Sequence, residues 1–325
     1  MHLPSILLKT DPRLSAHFMP HQINWIEAED TLHAAHQTVF ALAEKSVRIG
    51  WTRADAFKNV RKRLRLPNRD YLFVTRDYPS ALEYMKVAYA DADLFNLTSA
   101  ILTRGEEYLK VPRLDRRGRS TAFTDEIKIG LIKFDNGSRI IAFSSNPQAM
   151  AVYGGDVGLD EFAKHPNAEL LWETAQGRIT WGFDLAVWSA HNGEDTLFYQ
   201  FALQARAACL DSNPRLSSIP LATEAPSSTP SLHHSTTPLL HPSKPPSLHD
   251  STTPWNLYYR VTMPDALHLG LLDKINHARG TRFTPERFLA NCRARAGTEQ
   301  IYQQTYLCNP VPGGASIVDW SILER

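Results

Sequence analysis

Two features of this sequence carry residue types and spacings that could do chemistry. Asp160 and Glu161 are consecutive and end a short apolar run through Val157 and Leu159. A carboxylate at the end of a strand can hold Mg²⁺ through water, and a second beside it can polarise an attacking water, as nucleotide hydrolysis needs. Upstream lies Lys45-Ser46-Val47-Arg48-Ile49-Gly50-Trp51-Thr52, between an apolar run at 39–43 and a segment with helical spacing at Ala54, Phe57, Val60 and Leu64. A turn entering a helix N-terminus presents free backbone N–H groups and the positive end of the helix dipole, which suits a phosphate. Gly50 lets the backbone curl closely, and Thr52 places a hydroxyl where a phosphate-bound Mg²⁺ needs one. Lys45 and Arg48 are cations able to fold back over the β- and γ-phosphates. The stretch departs from the G-x-x-x-x-G-K-[ST] loop, because Trp51 stands at the lysine position and the first glycine is absent. Taken singly, the loop also reads as a plain charged turn and the carboxylates as a solvated acidic pair.

The elements around these residues alternate. Residues 71–75 read as a buried strand and 80–90 as a helix with Leu82, Met85, Val87 and Ala88 apolar. Strand-like stretches at 127–134 and 139–143 flank Asp135-Asn136-Gly137-Ser138, and Asn-Gly between apolar runs is a hairpin signal. Residues 169–175 read as a helix, 178–189 as a strand and 255–263 as a further strand. Helices follow at 265–278 and 285–296, the second with Thr284 as N-cap and Gly297 closing it. This order predicts an α/β fold, a mostly parallel sheet flanked by helices. Lys58, Arg61, Lys62 and Arg65 share one helical face, which reads as a solvated face or as a DNA or phosphate surface. The basic turn at 113–119 reads either as a DNA contact or as a polar loop.

Residues 211–254 differ in composition. They are rich in Pro, Ser, Thr and His, and Pro-Ser-Leu-His-His-Ser-Thr-Thr-Pro from Pro230 recurs with one change from Pro246. Such a stretch cannot bury enough apolar surface to offset its ordering entropy and is expected to be a disordered insertion. The expected organisation is an N-terminal segment 1–18, the first part of a domain at 19–210, the insertion at 211–254, and the rest of that domain at 255–325.

KSVRIGWT followed by VGLDEFA resembles the ATPase half of the large terminase subunit of tailed phages and prophages, whose phosphate-loop lysine often stands at the start of the loop. The resemblance implies a P-loop NTPase-type fold that binds ATP and Mg²⁺ through Lys45, Ser46, Arg48, Gly50, Trp51 and Thr52. It implies metal contacts from Thr52 and Asp160 and catalysis by Glu161. It further implies that Gln22, ahead of an amphipathic helix, reads the adenine edge, and that Ser189 senses the γ-phosphate at the end of its strand. The partners it implies are double-stranded DNA, a portal protein and a small terminase subunit, with a homo-oligomer on the portal. A full large terminase also carries a nuclease with strand-borne carboxylates; none remain here, so the chain is expected to stop before that domain. The readings left open are an inactive prophage remnant or non-catalytic DNA-binding protein, and a helicase-like ATPase.

Composition sets the bounds. The 325 residues suffice for one large domain with a real core, and 43% hydrophobic with 21% charged content is ordinary for a globular chain. A formal net charge of +1 excludes a polycation, so any nucleic-acid contact must be local. The 3 cysteines, Cys209, Cys292 and Cys308, lack paired metal-ligand spacing, which fits a reducing compartment. No apolar run is long enough to span a bilayer, so the expected location is the bacterial host cytoplasm without membrane contact.

Overall fold

The computed structural model describes residues 11–114, 119–212 and 253–312. Its strands are β1 (Phe40–Lys45), β2 (Tyr71–Thr75), β3 (Ile101–Leu114), β4 (Ser120–Phe134), β5 (Arg139–Ser144), β6 (Asp156–Asp160), β7 (Leu185–Ser189) and β8 (Leu257–Val261). They form one sheet in the order β3-β4-β5-β2-β6-β7-β1-β8. From β5 to β8 all neighbours are parallel, and β3 and β4 extend the sheet as an antiparallel ribbon. The expected α/β class with a mostly parallel sheet is therefore the fold observed. β8 pairs with β1, so the strand that follows the Pro/Ser/Thr/His-rich stretch returns to the same sheet.

Helices cover both faces, which is why β2, β6 and β7 are buried at every residue. One face carries α1 (Arg13–His17), α2 (Pro20–Ala34), α3 (Trp51–Arg65) and α4 (Tyr78–Leu94). The other carries α5 (Pro147–Val152), α6 (Ala168–Ile179) and α7 (Leu197–Ser212). The chain after β8 returns to the first face through α8 (Met263–Ala266), α9 (Leu272–Arg279), α10 (Pro285–Ala296) and α11 (Glu299–Tyr306). Successive strand residues point to opposite faces. Ala41 and Ala43 of β1 pack with the first layer and Leu42 with the second.

Several expectations change. Residues 265–278 are not one helix, because the chain kinks at Gly270, whose φ is +97°. Residues 178 and 179 end α6, so strand structure begins only at Leu185. The Asn-Gly turn is present, with Gly137 at φ +85° between β4 and β5. β3 and α7 carry no signal that the sequence reading used. The insertion read at 211–254 lies outside the described residues apart from its first two and last two positions, as do residues 115–118 of the basic turn.

The basic run of α3 is neither a solvated face nor a DNA surface. Lys58, Arg61 and Lys62 are buried. Lys58 and Lys62 each lie 2.8 Å from Glu29 of α2, and Lys62 also pairs with Asp156 at 3.0 Å and with Asp184. Arg63 and Arg69 reach Asp156 at 2.5 and 2.7 Å, and Arg65 reaches Asp30 at 2.5 Å. Burial alone would lower the Lys62 ammonium, but Asp156, Glu29 and Asp184 outweigh it and raise its pKa. The cations clamp α3 to α2 and to the entry ends of β6 and β7, at the opposite end of the strands from Asp160.

Candidate active site

β1 ends at Lys45 and α3 begins at Trp51, so the five residues between them form a strand-to-helix loop. Two of them adopt left-handed backbone, Arg48 at φ +60° and Gly50 at φ +77°. A Cβ on Gly50 would lie 2.3 Å from Gln22 Nε2 and would displace that amide, and the left-handed φ adds strain for any other residue. The loop is tied from behind. Ser46 N donates to Val261 O at 2.8 Å, and Val47 N donates to Thr305 O at 3.1 Å. Two carbonyls are held by α2, Ile49 O by His21 Nε2 at 2.9 Å and Gly50 O by Gln22 Nε2 at 2.8 Å. The amides of Gly50, Trp51 and Thr52 have no hydrogen-bond partner among the described residues. They sit at the start of α3, where the helix dipole favours a negative charge.

The acidic pair faces this loop across one strand, because β7 lies between β6 and β1. Asp160 shares a sheet face with Gly158, where Tyr71 and Trp188 leave no room for a side chain. Its Oδ1 accepts from Trp188 Nε1 at 2.6 Å and its Oδ2 from Thr75 Oγ1 at 3.0 Å. Glu161 has φ +52°, a conformation that costs a non-glycine residue of the order of 1–3 kcal/mol. That turn carries its carboxylate to Lys45 Nζ, to Lys164 Nζ at 3.0 Å and to Ser189 Oγ at 3.4 Å. Burial pushes Asp160 up, and the neighbouring Glu161 charge adds to that push. Burial also opposes the charge on Glu161, but Lys45 and Lys164 overcome it and hold its pKa low. For Lys45, burial lowers and the two carboxylates raise, and the carboxylates win. The loop lysine and Glu161 thus neutralise each other.

These groups line one cleft of about 530 Å³. Lys45, Arg48, Gly50, Thr52, Asp160 and Glu161, all named from the sequence, meet around it. The other four stand differently in their side chains, although Ser46 and Trp51 still line the cleft. The Ser46 hydroxyl points away, towards Thr305 O at 3.3 Å. The Trp51 ring is buried, 4.8 Å from the Trp25 ring, because a large aromatic at the lysine position gains more in the core than in a charged cleft. Gln22 does not face the cleft as an adenine reader. It is buried, with Oε1 accepting from Met19 N at 2.9 Å and Nε2 committed to the loop. Ser189 is fully buried behind Glu161 and accepts from Ala163 N at 3.2 Å. The sequence reading missed Thr75 and Lys164. Their signals were a hydroxyl at the carboxyl end of an apolar strand and a lysine three residues after Glu161.

Glu44, one residue before Lys45, points to the other sheet face. There it accepts from Arg206 Nε at 2.6 Å, from His191 Nε2 at 2.7 Å and from the Tyr258 hydroxyl at 2.5 Å. His191, left without a role by the sequence, is thus a strut under the loop strand. Burial pushes Glu44 up, but the bonds from His191 and Arg206 win and hold it at about 2 against an ordinary 4.5. A depressed carboxylate stabilises the fold above its unfolded value, and that stability is lost as pH falls through the folded value. The contribution, about 3 kcal/mol, is present at neutral pH and vanishes between about pH 4.5 and 2. In urea titrations the stability gap between wild type and Glu44→Gln should therefore close over that window. A gap that stays constant from about pH 6 down to about pH 2.5 would exclude this account.

No protein-family profile matches the chain. Among curated proteins it is 31% identical over 202 residues to the probable terminase large subunit gp28 of Escherichia phage Mu, covering 61% of this chain and 33% of that protein. It is 27% identical over 207 residues to the Mu-like prophage FluMu protein gp28 of Haemophilus influenzae, covering 62% and 36%. The chain therefore spans about a third of the length of these relatives. Among solved structures, the large terminase of a thermophilic bacteriophage in complex with ADP matches with a TM-score of 0.51 at 12% identity, over 89% of this chain and 52% of that one. A second crystal form of the same terminase gives 0.50 at 10% identity, with the same coverage. The resemblance to large terminase subunits is thus borne out by sequence in the Mu protein, and the thermophilic phage terminase shares the fold.

Proposed function

We propose that this chain is the ATPase motor part of a phage DNA-packaging terminase, coupling ATP hydrolysis to movement of double-stranded DNA. The observation that carries the reading is the meeting of Lys45 and Arg48 with Asp160 and Glu161 in one cleft, beside unpaired amides at the start of α3. The amides of Gly50, Trp51 and Thr52 take the phosphates, with Lys45 and Arg48 countering their charge. The Thr52 and Thr75 hydroxyls and the Asp160 carboxylate form an all-oxygen set that suits Mg²⁺, with Thr52 and Asp160 as its holders. The chemistry such an ion would supply there is charge neutralisation at the phosphate oxygens. Glu161 orients the attacking water and accepts its proton. Lys45 leaves Glu161 for the phosphates when nucleotide enters, freeing the carboxylate. Ser189, packed behind Glu161, passes that change into β7.

The domain reading is an ATPase built from 19–210 and 255–325 and interrupted by 211–254. Partners on this reading are double-stranded DNA, a portal protein, a small terminase subunit and further copies of the chain, in the bacterial host cytoplasm. Among the described residues no helix is long and apolar enough to cross a membrane. The test is phosphate release by the purified chain with Mg²⁺ and ATP, with and without linear duplex DNA. Turnover that DNA stimulates is the expected result. Tight ATP binding with no turnover under any condition would replace the motor with a non-catalytic remnant, and no ATP binding at all would overturn the nucleotide site.

A further inference from the structure

We propose that His21, with Gln22 beside it, is a positioning residue that shapes the anion-binding concavity by holding back two carbonyls of the loop. The inference rests on the nucleotide reading above and assigns these residues to the phosphates instead of the adenine. A trans peptide is planar, so the carbonyl of one residue and the N–H of the next point in opposite directions. The chain has no cis peptide among its described residues. Ile49 O is drawn towards α2 by His21 Nε2 at 2.9 Å, and the Gly50 N–H must then point the other way, into the cleft. Gly50 O accepts from Gln22 Nε2 at 2.8 Å and from Ala54 N at 3.2 Å, so Gln22 and the first turn of α3 hold it together, and the Trp51 N–H follows the same rule. These two amides are among those without a partner in the described residues.

The acceptor fixes the chemistry of the histidine. A carbonyl only accepts, so Nε2 carries the proton, and Nδ1 is buried without a partner. His21 is 1% exposed, too deep to touch a ligand itself. It sits at the second position of α2, beside Pro20, which pre-sets the helix start, so the donor is presented from a rigid base. The left-handed turn at Gly50, which glycine makes without strain, joins the two peptides whose carbonyls His21 and Gln22 hold.

The test is competition binding on the full chain with three probes, ATP, inorganic pyrophosphate and adenosine, each with Mg²⁺. His21→Leu removes the donor and should weaken ATP and pyrophosphate by the same factor, about tenfold, with adenosine unchanged. His21→Gln, which keeps an N–H at a similar reach, should recover most of that loss. If His21→Leu does not fold, His21→Asn, polar but shorter, takes its place against His21→Gln. Unfolding midpoints measured alongside separate loss of fold from loss of binding. The inference is overturned if pyrophosphate binding is unchanged in the variant, or if ATP weakens while pyrophosphate does not. If wild type binds neither ATP nor pyrophosphate, the nucleotide reading itself fails, and this inference with it.

Discussion

Glu161→Gln should leave ATP bound and slow its hydrolysis by about 10²- to 10⁴-fold, the usual contribution of a positioned general base. The amide keeps the size and the hydrogen-bonding reach of the carboxylate but cannot accept the proton of the attacking water. Binding should not suffer, because Lys45 loses its carboxylate partner and is released to the phosphates. Equilibrium binding and single-turnover phosphate release on the same preparation separate the two effects. The left-handed backbone of Glu161 adds a control, since Glu161→Gly relieves the strain yet removes the base, and should be equally inactive. Hydrolysis at the wild-type rate in Glu161→Gln would remove Glu161 from the reaction.

The largest effect on stability should come from Lys62→Met. Lys62 is buried among three carboxylates, Glu29, Asp156 and Asp184. Removing one partner from a buried ionic cluster leaves charge uncompensated, which costs about 3–5 kcal/mol. Met fills most of the lysine stem, so the loss reports charge and not volume. Urea unfolding of the variant measures it, and a loss below about 1 kcal/mol would show that Lys58, Arg63 and Arg69 already neutralise the cluster.

That cluster also shows where the sequence was readable and where it was not. Helical spacing placed Lys58, Arg61, Lys62 and Arg65 on one helix, correctly. Their partners come from elsewhere, Lys58 and Arg61 meeting Glu29 and Asp30 of α2 and Lys62 also meeting Asp156 and Asp184, which the sheet brings from far along the chain, and no local pattern records that. The loop and the acidic pair were legible because each is a local strand-to-turn signal, and the strands carrying them are short apolar runs that end in charge, buried almost throughout. Trp51 and Gln22 were misplaced for one reason: position in a motif says where a backbone goes, while the direction of a side chain is set by its neighbours. Trp51 turns to Trp25, and Gln22 turns to Gly50. β3 escaped, although residues 127–134 of β4 were read as strand, because β3 mixes charged residues, Gly105 and Pro112 and alternates poorly.

The position of β1 in the sheet sets the order in which the site can form. Its neighbours are β7 and β8, and the first contacts with them span 145 and 216 residues. β1 can pair with β7 and β8 only after chain far beyond it has been made, and closing loops of that length carries an entropic cost. On the ribosome the loop strand emerges early and waits, with Glu44 and Lys45 unpaired, while β2, β5 and β6 can already associate. Ser46 and Val47 wait longer still, for Val261 and Thr305. The loop after β1 is therefore complete only once residues up to Thr305 are in place, and a ligand that binds it would draw together segments from both ends of the described chain.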